Sequence, residues 1–345
     1  MNRDDLLVTI FSATALFGAA ETVLRLKDRN TSKARFLRER WNPERPWERF
    51  DHMAGWELTP GYKSETVVIN RHGFRGTDLS RDAGLRILCL GDSATFGPPG
   101  EENPYPRILQ AELEKKGKNV EVINAGVGGH TTLNMVHRLK RLMKLRPDIV
   151  IVYAGWADMY EADIARYRDL RMHADSYWHS SAQKQVRSHV CALIREAMAG
   201  TPSESISLSY TSEEFVPFNF EYNLRRIIAL TVAYAARTIL VTLPKLLPDD
   251  PGTMTAGMVA KCLMPDYMEM GDFDSFLMVY RSYDAIIRTL AEENDLPLLD
   301  LERENNHQKR PRTVFFENMF DLTPVGSKTV GKFMAKKLID AGMIE

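Results

Sequence analysis

The sequence predicts an α/β fold in which a central parallel sheet is covered by helices on both faces. Three observations support this prediction. Short apolar segments that suit buried strands alternate along the chain with longer segments whose apolar residues recur at helical spacing. Three of the strand-like segments end in polar, glycine-rich loops, and no internal repeat or low-complexity segment interrupts the alternation. With 345 residues, of which 44% are hydrophobic, the chain can form one large domain of this kind or two small ones.

The predicted elements follow one another as strand, loop and helix. Up to the first long connection they are a strand over residues 85–90, a helix over 104–117, a strand over 120–123, a helix over 131–144 and a strand over 148–153. Beyond it they are a helix over 219–236, a strand over 238–243, a helix over 273–294, a strand over 296–301 and a closing helix over 324–341. Strands joined through helices in this way are parallel, because each connection crosses back over the sheet.

Two long connections interrupt this pattern, at about residues 160–218 and 246–272. Connections of this length are uncommon in compact domains, so we interpret both as insertions near one edge of the sheet. The first holds a predicted helix over 186–198. The second carries several methionines, which commonly fill gaps in a core and less commonly line an apolar pocket.

The N-terminal region is predicted to precede the α/β domain, which we expect over residues 81–345. Within an N-terminal segment over 1–30, residues 6–20 carry no charge and predict an uncleaved membrane anchor, although a spanning helix needs about 20 apolar residues. The alternative is a helix docked on the domain. Basic residues between 25 and 40 favour a cytoplasmic body by the positive-inside rule, and the side of the membrane stays open.

Residues 31–80 are predicted to form an irregular strap ahead of the domain. Tryptophan and proline recur between residues 41 and 65 without a clear period. A short strand is predicted over 66–70, followed by the turn-rich segment NRHGFRG at residues 70–76.

Composition limits the classes of partner and cofactor. The formal net charge of −1 offers no basic excess to neutralise phosphates, which argues against nucleic acid as a partner. The three cysteines, Cys89, Cys191 and Cys262, are far apart and form neither a disulfide framework nor a CxxC metal site.

The segment GDSATFG at residues 91–97 directly follows the first predicted strand. Open α/β sheets bind their ligands just beyond the carboxyl ends of their strands, which is where Asp92 and Ser93 lie. Taken alone, the segment is also typical of a turn in which Asp92 or Ser93 caps the next helix.

Three further loops make a functional interpretation stronger. NAGVGG follows the second strand, GWAD follows the third, and NMFDLTPVG precedes the closing helix. In a doubly wound sheet all of these loops gather at one carboxyl edge.

These four segments together resemble the SGNH (GDSL-type) hydrolase family, over about residues 66–340. GDSATFG resembles the first family block and implies that Ser93 is the nucleophile. NAGVGG resembles the second block and implies that the backbone N–H of Gly129 helps to bind the oxyanion. An apolar N-terminal segment ahead of an Asn-x-x-Gly-Phe-Arg-Gly motif also resembles membrane-tethered branches of this family. The implied fold is the three-layer, flavodoxin-like α/β fold of these hydrolases.

The resemblance also implies a set of residues around the substrate and no cofactor or metal. The implied substrate-binding residues are Asp92, Asn124, Gly155, Asp158 and Asn318. A divalent cation held by the carboxylates of Asp92, Asp158, Glu317 and Asp321 is an alternative that no ligand spacing supports.

The chain departs from the family pattern at two positions. The third block, usually Gly-x-Asn-Asp, has Ala157 in place of the oxyanion-binding Asn. If the following LTPVG sets the register of the last block, Asp321 stands at the position of the catalytic His and Asn318 at that of its orienting Asp. A serine hydroxyl needs an adjacent base, and an ordinary carboxylate with a pKa of about 4 is a weak one near neutrality.

Histidines elsewhere in the chain are alternative bases. His130 follows Gly129 and either faces the cleft, caps the next helix or points to solvent. His307 lies in a polar run, and His72, His173 and His179 have no spacing that singles them out.

Two functions follow as expectations. The first is a serine ester hydrolase or acyltransferase, with Asp321 or His130 as base, that acts on an acyl ester of a saccharide, lipid or biosynthetic intermediate. The second is a catalytically impaired pseudo-hydrolase that uses the cleft for binding or scaffolding at a membrane.

Overall fold

The computed structural model describes residues 45–51, 53–80, 84–160, 216–262, 264–265 and 271–344. The predicted anchor at 6–20, the predicted helix at 186–198 and nearly all of the first insertion lie outside these ranges, so those predictions stay predictions. In the described ranges, no helix has the length and apolar character that crossing a membrane requires.

The chain divides into two compact units, residues 1–56 with 175–208 and residues 57–174 with 209–345. In the first unit, strand β1 (Glu48–Asp51) pairs with strand β2 (Gly55–Leu58), whose first two residues belong to this unit. The turn between them is closed by Asp51, whose Oδ1 accepts the N–H groups of Met53 and Ala54 at 2.9 and 2.8 Å. Within the predicted strap, residues 48–58 therefore form two short paired strands, which the sequence did not predict because they show no period.

A five-stranded parallel sheet is the centre of the second unit. Its strands are β3 (Leu85–Gly91), β4 (Val120–Gly126), β5 (Ile149–Tyr153), β6 (Arg237–Val241) and β7 (Leu298–Leu299). They are hydrogen-bonded in the order β4-β3-β5-β6-β7, which is the flavodoxin-like doubly wound order. The order reverses at β3, and open sheets bind ligands at such a point, outside the carboxyl ends of the strands. The predicted fold class is confirmed.

Helices lie between the strands and after the last one. They are α1 (Ser93–Phe96), α2 (Tyr105–Glu114), α3 (Thr132–Leu142), α4 (Trp156–Tyr160), α5 (Phe218–Ala233), α6 (Ala256–Val259), α7 (Phe273–Glu293), α8 (Leu301–Asn306) and α9 (Pro324–Asp340). Local capping sets several of the boundaries. Asp272 Oδ1 accepts the N–H of Ser275 at the start of α7, and Thr323 Oγ1 accepts the N–H of Gly326 at the start of α9.

Two predicted strands differ from the structure. Residues 66–70 form isolated bridges, Val68 with Lys63 and Ile69 with Arg75, instead of a strand. The last strand is confined to Leu298–Leu299, because Asp300 caps α8 by accepting the N–H of Arg303 at 3.1 Å and so starts a helix where the apolar run continues.

Candidate active site

The predicted nucleophile lies directly beyond strand β3. Gly91 ends the strand, Asp92 caps α1 and Ser93 is the first residue of that helix. Asp92 Oδ1 accepts the N–H of Ala94 at 3.1 Å, so Asp92 also fulfils the helix-capping interpretation. Asp92 is buried and Ser93 is partly exposed. Among the described residues, no side chain is hydrogen-bonded to the Ser93 hydroxyl.

Glycines allow the first two loops to approach each other closely. A Cβ atom on Gly91 would lie 2.1 Å from Thr95 Oγ1, and one on Gly126 would lie 2.2 Å from the backbone nitrogen of Phe96. No larger residue fits at either position without moving backbone. The end of β4 therefore packs directly against the helix that begins with Ser93.

The predicted oxyanion donor belongs to the loop after β4. Gly129 is exposed and has a φ of +74°, a left-handed conformation that favours glycine. His130 closes this loop, since its N–H donates to the carbonyl of Val127 at 3.2 Å. Its side chain is completely buried, which excludes the interpretation that it points to solvent.

Asn124 holds the first two loops together from within the fold. Its Nδ2 donates to the carbonyl of Phe96 at 3.3 Å, and its Oδ1 accepts the N–H of Gly126 at 3.0 Å. The side chain is 5% exposed. These bonds favour a positioning role over the direct substrate contact that the resemblance implies.

The third block connects the other two. Gly155 has a φ of +138°, which favours glycine, and leads into α4. The N–H of Ala157 donates to Asp92 Oδ2 at 3.3 Å. The Asp158 carboxylate accepts the N–H of Thr132 at 2.9 Å and its hydroxyl at 2.5 Å. Both oxygens of Asp158 are therefore used to fix the start of α3.

The loop before α9 brings the remaining predicted residues to this edge. Asn318 Oδ1 accepts the N–H of Asp321, and Asn318 Nδ2 donates to Asp321 Oδ2, both at 2.8 Å. Phe320 stacks on Trp156 of α4 with ring centroids 5.2 Å apart. Asn318 thus orients the carboxylate of Asp321, as the resemblance implies for the residues at these two positions.

Asp92 lies among like charges. Burial is the main cause that raises its pKa from 3.8 to about 7. Hydrogen bonds from the backbone of Ala94 and Ala157 oppose this rise, and the neighbouring carboxylates of Asp321 and Asp158 add to it. The first, third and last blocks therefore place three carboxyl groups within electrostatic reach of one another.

Arg75, from the segment NRHGFRG, shapes the loop that follows the nucleophile helix. The guanidinium lies 4.4 Å from the ring centroid of Phe96 and is 5% exposed. It donates, at 2.7 to 3.4 Å, to the backbone carbonyls of Thr66, Phe96, Gly97, Pro98 and Gly100. The sequence-based interpretation of this segment as a turn did not predict this role, because the contacts span 9 to 25 residues.

Sequence reasoning also missed four buried polar residues at the carboxyl edge. Tyr153 ends β5 and Trp156 begins α4. Lys245 is completely buried and pairs with Glu302, beyond β6 and β7. A usable signal is the type of residue at strand ends: a lysine, glutamate or tyrosine just beyond an apolar strand lies where α/β sheets bind ligands.

The other candidate histidines are exposed or lie outside the described ranges. His72 is exposed in the turn-rich segment, and His307 is exposed at the end of α8. His173 and His179 lie outside the described ranges. Within those ranges, no three His, Cys, Asp or Glu side chains are grouped so that they could hold a metal ion.

Sequence comparison identifies related proteins. A model of the GDSL-like Lipase/Acylhydrolase family matches residues 89–322. Among curated proteins, an arylesterase of Vibrio mimicus is 36% identical over 78 residues, which are 22% of this chain and 39% of the arylesterase. The match therefore spans about two fifths of the length of that relative.

Similar folds occur among solved structures. The acetyl xylan esterase AlAXEase has a TM-score of 0.43 and 20% identity, with 74% of this chain and 99% of that chain covered. The lipase/acylhydrolase from Enterococcus faecalis has a TM-score of 0.46 and 17% identity, with 76% of this chain and 97% of that chain covered.

Proposed function

Because this chain belongs to the GDSL-like lipase/acylhydrolase family, we propose that it is a serine-dependent ester hydrolase or acyltransferase with Ser93 as nucleophile. The observation that carries the proposal is the position of Ser93, partly exposed at the first residue of α1 and beyond the carboxyl end of β3. The proposed substrate is an acyl ester of a saccharide, lipid or biosynthetic intermediate. The relationship to an arylesterase supports aryl esters as first test substrates.

In the proposed reaction, Ser93 Oγ attacks the ester carbonyl while its proton passes to a base. The carbonyl oxygen becomes an oxyanion that the N–H of Gly129 stabilises. Collapse of this intermediate breaks the bond to the alcohol, which leaves with the proton from the base. Water, or a second alcohol in the transferase case, then attacks the acyl-serine and regenerates the Ser93 hydroxyl.

Asp321 is the proposed base. Asn318 orients its carboxylate at 2.8 Å, and its charge acts on Asp92, the neighbour of Ser93. Catalytic hydrogen bonds are often long before substrate binds, so the open Ser93 hydroxyl is compatible with this role. His130 is the second candidate, because it is buried in the same loop as Gly129.

The proposed site is expected to be slower than one with the usual residues. Ala157 has no side-chain donor at the position where the family has Asn, and removal of one oxyanion donor typically costs about 100- to 1000-fold in rate. A carboxylate base in place of His lowers the rate further, because its basicity near neutrality is weaker.

The proposal is tested on the full chain with a fluorophosphonate probe and short-chain aryl esters between about pH 5 and 9, the range in which a shifted base acts. We expect Ser93→Ala to abolish labelling and turnover. Ser282→Ala is the matched control, since Ser282 lies in α7 and donates to the carbonyl of Met278. Asp321→Asn and His130→Ala then identify the base, as the variant with the larger loss of turnover.

The alternative is the pseudo-hydrolase, which binds a ligand in the cleft without cleaving it. The observation that favours it is the joint replacement of the usual Asn and His by Ala157 and Asp321. A folded wild-type protein that is not labelled at any pH in this range contradicts serine hydrolysis and supports the alternative.

A further inference from the structure

Two buried side-chain donors at the end of β5 have no hydrogen-bond partner among the described residues. Tyr153 and Trp156 are both completely buried. Neither the hydroxyl of Tyr153 nor the Nε1 of Trp156 is hydrogen-bonded within the described part of the chain. Leaving a buried polar group unpaired costs about 1–3 kcal/mol, and native proteins contain few such groups. A pair of them beside a catalytic edge therefore calls for a functional explanation.

The backbones of both residues adjoin the segment of the chain that carries Asp92. Tyr153 is paired in register with Gly91, the residue before Asp92. The N–H of Ala157, which follows Trp156, donates to Asp92 Oδ2 at 3.3 Å. The strand register and this hydrogen bond place the backbone of Tyr153 and of the start of α4 beside the segment that carries Asp92.

Trp156 also reaches the last block. Its ring stacks on that of Phe320 at 5.2 Å, and Phe320 precedes Asp321. Trp156 therefore links the third block, which contacts Asp92, to the loop that carries Asp321.

The charged groups around Tyr153 are carboxylates. After burial, which is the main cause, Asp92, Asp321 and Glu302 all raise the pKa of the Tyr153 hydroxyl. The nearby indole N–H of Trp156 opposes the rise, although its geometry is not that of a hydrogen bond. Asp158 acts on Asp92 from the same edge.

Among the described residues, a cation pairs with only one of the carboxylates that act on Tyr153. Glu302 is paired with the Lys245 ammonium. Within the described ranges, no Lys, Arg or His forms an ion pair with Asp92 or Asp321.

We propose that Tyr153 is a positioning residue of this site, whose hydroxyl hydrogen-bonds to the Asp92 carboxyl group whenever that group is ionised. The two oxygens of Asp92 accept the N–H groups of Ala94 and Ala157, one each. A buried carboxylate needs further donors, and the Tyr153 hydroxyl is one of the two donors at this edge that have no partner among the described residues.

The consequence for the reaction rests on the proposed function. An ionised Asp92 repels negative charge on Asp321, so the proton held by Asp92 governs how readily Asp321 accepts the Ser93 proton. By stabilising the charged form of Asp92, Tyr153 maintains this repulsion between the two carboxyl groups.

The experiment follows the Asp92 carboxyl group directly, by NMR titration of protein labelled with ¹³C at the aspartate carboxyl carbon. Asp92→Asn assigns the signal. We expect Tyr153→Phe to raise the Asp92 midpoint by about one pKa unit, because a hydrogen bond to a charged group is lost. Tyr105→Phe is the matched control. Tyr105 is equally buried, its ring centroid lies 6.1 Å from that of Tyr153, and its hydroxyl bonds to Thr95.

The inference is overturned if the Asp92 carboxyl group has the same titration midpoint in Tyr153→Phe as in wild type. It is also overturned if Tyr105→Phe shifts this midpoint equally. A second variant has the opposite expected sign. Site-specific 3-fluorotyrosine at position 153 makes the hydroxyl a stronger donor and lowers the Asp92 midpoint. This titration does not depend on turnover. If Ser93 does not react with the fluorophosphonate, the proposed function is refuted, and the titration alone still decides the inference about Tyr153.

Discussion

The Asp158 carboxylate accepts hydrogen bonds from both the backbone N–H and the hydroxyl of Thr132, at 2.9 and 2.5 Å. Thr132 begins α3, three residues after Gly129. The third block of the site therefore anchors the loop that carries the proposed oxyanion donor. Asp158 is better explained as a residue that positions this loop than as one that touches substrate.

Replacing Asp158 is expected to reduce stability and activity together. Asp158→Asn keeps one acceptor for the Thr132 N–H and loses the charge-assisted bond from the hydroxyl, so we expect a loss of about 1.5–3 kcal/mol in the free energy of unfolding. Turnover of an aryl ester should fall because Gly129 is no longer held. Urea unfolding and steady-state kinetics measure the two effects. Thr132→Val removes the same bond from the other side, so additive losses in the double variant contradict the coupling.

Arg75 is expected to tolerate no substitution, including lysine. Its planar guanidinium serves five carbonyls and the face of Phe96, whereas a lysine ammonium has three donors on one atom. Arg75→Lys should cost about 2–4 kcal/mol in urea unfolding, since buried carbonyls lose their donors. Arg71→Lys is the matched control, because Arg71 is exposed and its ion pair with Asp78 at 3.6 Å contributes little. Equal effects of the two substitutions contradict this role.

The sequence predicts those features that depend on local pattern. The helices Phe273–Glu293 and Pro324–Asp340 follow from apolar periodicity and from capping residues at their start. The position of Ser93 follows from an apolar strand that ends in glycine. By contrast, the part played by Arg75 depends on carbonyls up to 25 residues away, which no local pattern encodes.

The chemistry of the site was less predictable than its location. Asp92 has the residue type of an ordinary helix cap, and only the electrostatic effect of Asp321 on it in the folded chain shows that the two share the site. The same holds for Tyr153, which reads in the sequence as the last residue of a buried strand. Its unpaired hydroxyl depends on which side chains the fold brings beside it.

Asp92 is expected to make stability depend on pH. Its pKa is about 7 in the folded protein, against an ordinary 3.8, so the folded state holds the proton more tightly than the unfolded chain. Asp92→Asn should therefore match wild type near pH 4, become the more stable variant as pH rises toward 7, and keep a constant advantage above pH 7. The pKa difference corresponds to at most about 4 kcal/mol.

Urea unfolding at pH 4, 6 and 8 measures this difference. Asp274→Asn serves as the control, because Asp274 is exposed in the first turn of α7. An advantage of Asp92→Asn that is independent of pH contradicts the assignment, since it points to packing and not to ionisation.

The buried pair of Lys245 and Glu302 gives the final prediction. The side chains are 0% and 8% exposed, and the Lys245 ammonium also lies 4.3 Å from the ring centroid of Tyr280. Removing one partner leaves the other charge buried, so Lys245→Met should cost about 3–5 kcal/mol in urea unfolding. The double variant Lys245→Met, Glu302→Leu should recover a large part of this loss, because no buried charge is left unpaired.

An exposed pair of comparable geometry provides the control for this cycle. Lys115 and Glu112 lie 2.8 Å apart on α2 and the turn that follows it, with Lys115 66% exposed. Lys115→Met should change stability by less than about 1 kcal/mol, because water already screens that charge. Since Glu302 acts electrostatically on Tyr153, the same variants also test whether the pair reaches the active edge. If Lys245→Met lowers the free energy of unfolding by no more than Lys115→Met does, the pair of Lys245 and Glu302 does not stabilise the fold. Its burial then does not account for the lysine beyond β6.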